Sequence, residues 1–324
     1  MSFIRKISVE TPGMYTTIQD LGRFGSRRVG VPQSGAMDDY AARLANILVG
    51  NEVTAPLLEI SYTGPELLFS SRTFIAVTGG DLSPRVNGKD IMMYETVCLN
   101  PGDRLSFGGL KNGCRAYLAI WGGLVSDYVM ESCSTYVPAG FGGHHGRPLI
   151  KGDLLFYHKK DEPPLIMTLP ESYWPNYDAK RTIRILEGPE WNVMDVEMKQ
   201  NFGRNTFKIG HNSDRMGIRL EGKLSQEYHP VQMLSSPLGR GSIQLIPSGE
   251  MIIVMSDGQT TGGYPRIGSI IAVDLGPVAQ LKPGDKIKFK LIDQDQAKSL
   301  FLHREAKLEY LKGKNIPKGP EILD

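Results

Sequence analysis

Cysteine is scarce in this chain: Cys98, Cys114 and Cys133 are the only three in 324 residues. An odd number without metal-ligand spacing excludes a disulfide framework, and the expectation is buried, reduced thiols in a cytoplasmic protein. An excess of charge of one sign is missing too. Thirty-seven basic residues face 35 acidic ones, and no basic run stands out. Nucleic acid and anionic membranes are therefore not expected partners. No apolar stretch approaches the roughly 20 residues that a membrane helix needs. The opening MSFIRKISVE has no apolar core of signal-peptide length. Absent as well are the Gly-Lys-Ser/Thr ending of a phosphate loop and a Gly-x-Ser-x-Gly nucleophile elbow. The adjacent His144 and His145 have no third ligand nearby, so a surface loop is expected there and no metal.

What is present points to strands. Glycine (37) and proline (21) are frequent but dispersed, as in short strands joined by tight turns. Runs rich in Ile, Val, Phe and Tyr recur between turn signals: Thr73–Thr78, Arg115–Ile120, Thr182–Leu186, Met251–Met255, Ser269–Val273 and Lys286–Ile292. Three segments read as helices. In Met37–Val49 the apolar residues share one face, Asp38 and Asp39 stand at the N-terminus, and Gly50 supplies a stop. The others are Pro189–Asn201 and a tail from Asp293 to Lys312, capped by Asp293.

Pro101-Gly-Asp-Arg-Leu-Ser-Phe107 echoes Pro283-Gly-Asp-Lys-Ile-Lys-Phe289, and Thr78-Gly-Gly80 echoes Thr261-Gly-Gly263 at nearly the same offset. This spacing suggests two related β-barrel-like halves meeting in the Pro-rich stretch Asp161–Pro175; the plainer alternative is a common turn used twice. The expected organisation is mostly β: an N-terminal β-barrel-like domain over 1–170, a C-terminal one over 171–292, and a helical tail over 293–324.

Three segments carry candidate chemistry. Thr17–Gly25 followed by Gly30–Asp38 brackets Gln19, Asp20, Arg23, Ser34 and Asp38 between Gly-rich turns before a helix. Such a helix start can hold an anion, or these residues face a partner; the structural alternative pairs Asp20 with Arg23 or Arg27. Ser213–Gly222 puts Asp214 and Arg215 on a turn before a strand whose Arg219 and Glu221 alternate outward, where exposed ion pairing is the plain reading. In Met251–Gly268 an apolar strand ends in Asp257, Gln259, Thr260, Tyr264 and Arg266. Donors, acceptors and one cation on flexible backbone suit an amide, lactam or ureido group of a small-molecule substrate, against an equally weighted structural loop.

Taken together, TTIQDLGRFG (16–25), GVPQSGAMD (30–38), LANILVGN (44–51), SDRMGIRLEG (213–222) and DGQTTGGYPRIG (257–268) resemble the landmarks of the biotin-dependent carboxyltransferase-like family. That family includes allophanate hydrolase subunit 2, the regulator KipA and, most like this chain, the C subunit of 5-oxoprolinase. The resemblance implies a cyclophilin-like C-terminal barrel. It also implies a KipI-like B subunit for a partner, the A subunit of 5-oxoprolinase for a third component, and ATP-dependent opening of 5-oxoproline to L-glutamate. ATP would then be bound together with the partner subunits. Alternatives within the resemblance are a KipA-like regulator that antagonises a KipI-like kinase inhibitor, and the carboxyltransferase part of a urea carboxylase. Glu197-Met-Lys-Gln200 has Gln200 where a biotin attachment site would carry a second methionine, so no covalent biotin is expected on this chain. No catalytic role for any single residue follows from the resemblance.

Overall fold

The computed structural model describes residues 4–225 and 233–313. Among these the chain is mostly β, with α-helices α1 (Asp39–Leu48), α2 (Val196–Arg204), α3 (Ala272–Ala279) and α4 (Gln294–Gly313). The described residues form two compact units, and neither is one continuous stretch. The first unit holds 4–22, 38–176 and 305–313; the second holds 23–37 and 177–304.

The first unit carries two sheets. One has seven strands in the order Leu124–Val125, Leu154–His158, Ile4–Thr11, Glu66–Phe69, Arg104–Phe107, Pro84–Val86, Lys89–Asp90. The other has five: Tyr15–Gln19, Leu57–Ser61, Asn112–Ile120, Thr73–Asp81, Val97–Leu99. In the second of these sheets alternation separates two kinds of residue. Ile18, Leu58, Ile60, Ala116, Leu118, Ile75 and Val77 are all buried on one face. The opposite face is buried as well, yet it is polar. Cross-strand register aligns Thr17, Glu59, Tyr117 and Thr78 in one row. α1 packs against this sheet, and the Thr78 hydroxyl donates to the Ala41 carbonyl at 2.7 Å.

α1 starts where the sequence places it. Asp38 is its N-cap, with Oδ1 accepting from the Ala41 N–H at 3.1 Å. Such a cap stabilises a helix by about 1 kcal/mol. α4 is likewise capped by Asp293, whose Oδ1 accepts from the Gln296 N–H. Within the first unit α4 is tied down by a two-pronged Arg43–Glu305 pair, at 2.9 and 2.7 Å, and by buried Leu308 and Leu311. The part of the expected tail beyond Gly313 lies outside the described residues.

The second unit is a closed seven-stranded barrel in the order Lys180–Glu187, Arg266–Ile270, Ser242–Leu245, Met251–Val254, Gly217–Glu221, Phe207–Ile209, Lys286–Leu291. Closure removes the free edges that would otherwise template aggregation. Alternate residues fill its core, among them Ile183, Ile185, Ile218, Leu220, Ile243, Ile253, Ile287 and Phe289. Phe202 of α2 stacks on Phe289 with centroids 4.7 Å apart, sealing the core from the helix side.

Several local expectations are corrected. Ser269–Val273 is strand only as far as Ile270; Ala272 already belongs to α3. The side chain of Asp274 in α3 is drawn in by Arg184, accepting from its backbone N–H and its guanidinium, and this turns the apolar run into a helix. Pro189–Asn201 is not one helix but a short turn at Trp191–Val193 and then α2, because Asp195 caps the Met198 N–H and restarts the chain there. Of the three cysteines, Cys98 is exposed and only Cys114 is buried.

The Pro-Gly-Asp echo is one turn built three times. In Asn100–Asp103 and in Lys282–Asp285 the aspartate Oδ2 accepts from the first residue's N–H, at 2.7 and 3.0 Å. The glycines take φ of 90° and 93°, and their N–H groups donate to Phe69 and Ile209 of a neighbouring strand. Ile150–Asp153, without proline, repeats every one of these features. The first unit thus uses the turn twice by itself. Thr78 stands in a nine-residue strand, whereas Thr261–Gly262 is a two-residue strand paired with Ser236–Pro237. The plainer reading of the echo, a recurrent turn, accounts for these facts.

Candidate functional site

The candidate residues separate into two groups. Gln19, Asp20 and Asp38 lie in the first unit. The fully buried Gln19 donates through Nε2 to Thr17 Oγ1 at 3.0 Å and to the Thr135 carbonyl at 3.2 Å; its Oε1 meets no donor among the described residues. Asp20 does not pair with Arg23 or Arg27. Its carboxylate accepts from the N–H groups of Gly22 and Cys133 and from the hydroxyls of Ser132 and Ser134, binding the chain after Gln19 to the 132–134 loop. Asp38 is buried too. Its N–H donates to the Tyr117 hydroxyl at 2.7 Å, and that hydroxyl donates to Glu59 Oε2 at 2.9 Å. Burial, then the nearby carboxylates of Glu59 and Asp38, hold the Tyr117 phenol well above its ordinary pKa. This relay fixes the start of α1 from the sheet beneath it.

The other candidates lie in the second unit, where three separate stretches converge. The strands Gly217–Glu221 and Met251–Val254 are paired, and backbone bonds continue the pairing past their ends. Met255 N–H donates to the Met216 carbonyl, and Asp257 N–H to the Arg215 carbonyl, both at 2.9 Å. The chain can come this close at 258 only as glycine, since a Cβ there would stand 2.5 Å from a Val254 methyl and 2.8 Å from the Met216 carbonyl. Arg215 and Asp257, which the sequence reading kept in different segments, form a buried two-pronged pair: Nε to Oδ2 at 2.8 Å and Nη2 to Oδ1 at 3.2 Å. The exposed pairing expected for the 213–222 segment holds for Lys208–Glu221 but not here.

Residues 23–37 supply the third stretch. Ser34 N–H donates to the Ser256 carbonyl at 2.9 Å, and Arg215 Nη2 donates to the Gly35 carbonyl at 2.8 Å. Arg240 extends the grip by donating to the Ala36 and Met37 carbonyls. Two arginines thus hold three consecutive carbonyls of the Gly30–Asp38 landmark. The backbone N–H of Arg23, whose side chain is the largest fully buried one among the described residues, ties the same stretch to itself by donating to the Gln33 carbonyl at 2.8 Å.

Around this centre the remaining candidates differ in what they offer. Asp214 is exposed, and its Oδ1 accepts from the N–H groups of Met216 and Gly217, shaping the turn that delivers Arg215. Arg266 is committed. Its fork meets Glu190 at 2.8 and 2.6 Å, and Nη1 donates to the Pro237 carbonyl at 2.7 Å. Hydrogen bonds from Arg266 keep the Glu190 carboxyl below its usual range. Gln259 and Tyr264 are exposed and Thr260 is half-buried, leaving their side chains on the solvent side of the loop. The sequence reading missed Arg240, Glu190, Tyr117 and Glu59. Arg240, flanked by Gly239 and Gly241, carried only the signal of a cation in a glycine turn.

No group of three His, Cys, Asp or Glu among the described residues is placed to hold a metal. ATP does not fit the cluster either. A triphosphate needs uncommitted donors or cations, whereas Arg215 and Arg266 are engaged by carboxylates and Arg240 by backbone carbonyls. The cluster offers shape and neutral hydrogen-bonding groups.

Residues 29–291 match the carboxyltransferase domain, subdomain A and B. The chain therefore belongs to that carboxyltransferase family. It is 36% identical to the 5-oxoprolinase C subunit of Haemophilus influenzae over 91% of its own length and 94% of that protein's. It is 32% identical to the urea amidolyase of Saccharomyces cerevisiae over 96% of its length, but spans only 18% of that larger chain. The crystal structure of the Kluyveromyces lactis urea amidolyase superposes with a TM-score of 0.89 at 32% identity, over 96% of this chain and 20% of that one. No described helix is long and apolar enough to cross a membrane.

Proposed function

We propose that this chain is the C subunit of an ATP-dependent 5-oxoprolinase, opening the lactam of 5-oxoproline to L-glutamate together with a KipI-like B subunit and the A subunit. The observation that carries this reading is the match to the H. influenzae C subunit along nearly the whole of both chains. The cluster around Arg215 and Asp257 supports it, because its charges are satisfied internally and what remains suits a neutral amide. ATP belongs on the partner subunits in this reading. Reconstitution tests it: the chain mixed with its A and B partners should release glutamate from 5-oxoproline when ATP is supplied. Undiminished turnover in a mixture lacking the chain would sink the assignment.

A second reading has its own support. The structural likeness to urea amidolyase favours a role as the carboxyltransferase component of a urea carboxylase. Urea-dependent ATP hydrolysis with a biotinylated partner, and none with 5-oxoproline, would decide for it.

A further inference from the structure

Of the three buried serine hydroxyls in the second unit that lack a partner among the described residues, at Ser34, Ser236 and Ser256, two belong to fully buried residues. Ser34 and Ser256 are 0% and 1% exposed, and the Oγ of each has no hydrogen-bond partner among the described residues. Buried polar atoms are normally paired, and one that is not calls for an explanation such as a bound molecule. The two residues are joined directly by the Ser34 N–H to Ser256 carbonyl bond. They also flank the charged centre: Ser256 precedes Asp257, and Ser34 precedes Gly35, whose carbonyl Arg215 holds.

Ser34 carries a second oddity, a φ of +56°. A serine is strained in the left-handed region where glycine would not be, and Gly30 and Gly35 on either side already use it. Conformation alone would favour a third glycine at 34. A side chain kept in a strained position, buried and without a protein partner, is a side chain kept for something else.

We propose that Ser34 and Ser256 are ligand-contacting residues of the Arg215–Asp257 site, forming a subsite for a small neutral amide, lactam or ureido group. The class follows from the donor set. Arg215 and Asp257 neutralise each other, so this pair offers an anion no net charge, and Arg240 is held by the Ala36 and Met37 carbonyls. Each hydroxyl can both donate and accept. A pair of them matches a group that presents one carbonyl and one N–H. The inference rests on the 5-oxoprolinase reading for the identity of the natural lactam, but not for the chemistry of the subsite.

The test uses the full chain with 2-pyrrolidone, acetamide and urea as probes and acetate as the charged control, followed by thermal shift and by NMR of the probe. The amides should raise the midpoint of the wild type, and acetate should not. In Ser34→Gly and in Ser256→Ala the amide response should fall at least several-fold, while the probe-free midpoint stays level or rises, because strain or an unpaired hydroxyl has been removed. A drop in the probe-free midpoint of both variants would show the hydroxyls to be structural and overturn the proposal. So would amide binding that persists in both, or no amide binding by the wild type. Failure of the two readings is distinguishable. Amide binding that needs the serines, with no 5-oxoproline turnover in the reconstituted complex, keeps the subsite and discards the 5-oxoprolinase assignment. Full turnover in both variants does the reverse.

Discussion

If the Arg215–Asp257 pair is the clasp that holds residues 23–37 on the barrel, removing one half should be worse than removing both. Both side chains are buried, and the pair is two-pronged. Arg215→Met leaves a buried carboxylate without its cation, and Asp257→Leu takes the carboxylate from a buried guanidinium. Breaking a buried pair in this way costs about 3–5 kcal/mol. Arg215→Met also strips the Gly35 carbonyl of its donor, worth about a further 1–3 kcal/mol if that oxygen stays buried. The double substitution leaves no orphan charge and only that carbonyl, so it should cost less than either single change. A double-mutant cycle in urea should therefore give a coupling of roughly 3 kcal/mol or more. A local readout comes from trypsin. Arg28 is exposed in the 3-10 turn Ser26–Val29 near the start of this segment, and cleavage there tracks the open form. With about 1.4 kcal/mol per tenfold change, each single variant should be cut at Arg28 about a hundredfold faster or more, and the double variant distinctly less so. Additive costs in the cycle, or cutting at Arg28 that ignores all three variants, would refute the clasp.

Two further outcomes follow from the first unit. Hydrogen bonding by Arg147, chiefly, holds the Asp153 carboxyl at about 2, below its ordinary 3.8. A depressed carboxyl stabilises the fold above its unfolded pKa and loses that contribution as pH falls through the folded value. The urea midpoint should thus decline between about pH 4 and pH 2 by the equivalent of about 1–2 kcal/mol once solvent screening at the partly exposed Arg147 is allowed for, and Asp153→Asn should flatten that part of the curve. Tyr117→Phe deletes the hydroxyl that accepts from the Asp38 N–H and donates to Glu59 in a buried layer. It should cost about 2–4 kcal/mol by chemical denaturation, and an unchanged midpoint would remove the relay from the forces that set α1.

What the sequence discloses here is governed by range. Strands such as Thr73–Asp81 and Asn112–Ile120, and the capped starts of α1 and α4, are written in neighbouring residues and can be read off β-rich runs between turn signals and off caps. The Ser269–Val273 error came from the same local logic, because what bends that run into α3 is Arg184, far away in sequence. The site shows the same limit more sharply. Asp257, Arg215 and the Gly30–Asp38 stretch were each singled out by composition, yet nothing local could say that they meet. Composition likewise placed Arg266 as a cation for a ligand, and only its contact with Glu190 shows that it is occupied. Ser34 gave no sign of strain, since a positive φ at a non-glycine residue is imposed by its surroundings.

The interleaving of the two units has a consequence for how the molecule comes to exist at all. Residues 23–37 leave the ribosome early, but the arginine that holds Gly35 follows 180 residues later. Until then this segment has no surface to join, and its Ser34, its left-handed turn and its backbone carbonyls stand in water. The seven barrel strands all come from 180–291, but the segment whose carbonyls Arg215 and Arg240 hold does not, and the first unit cannot be cut out by a single break without carrying a piece of the second along.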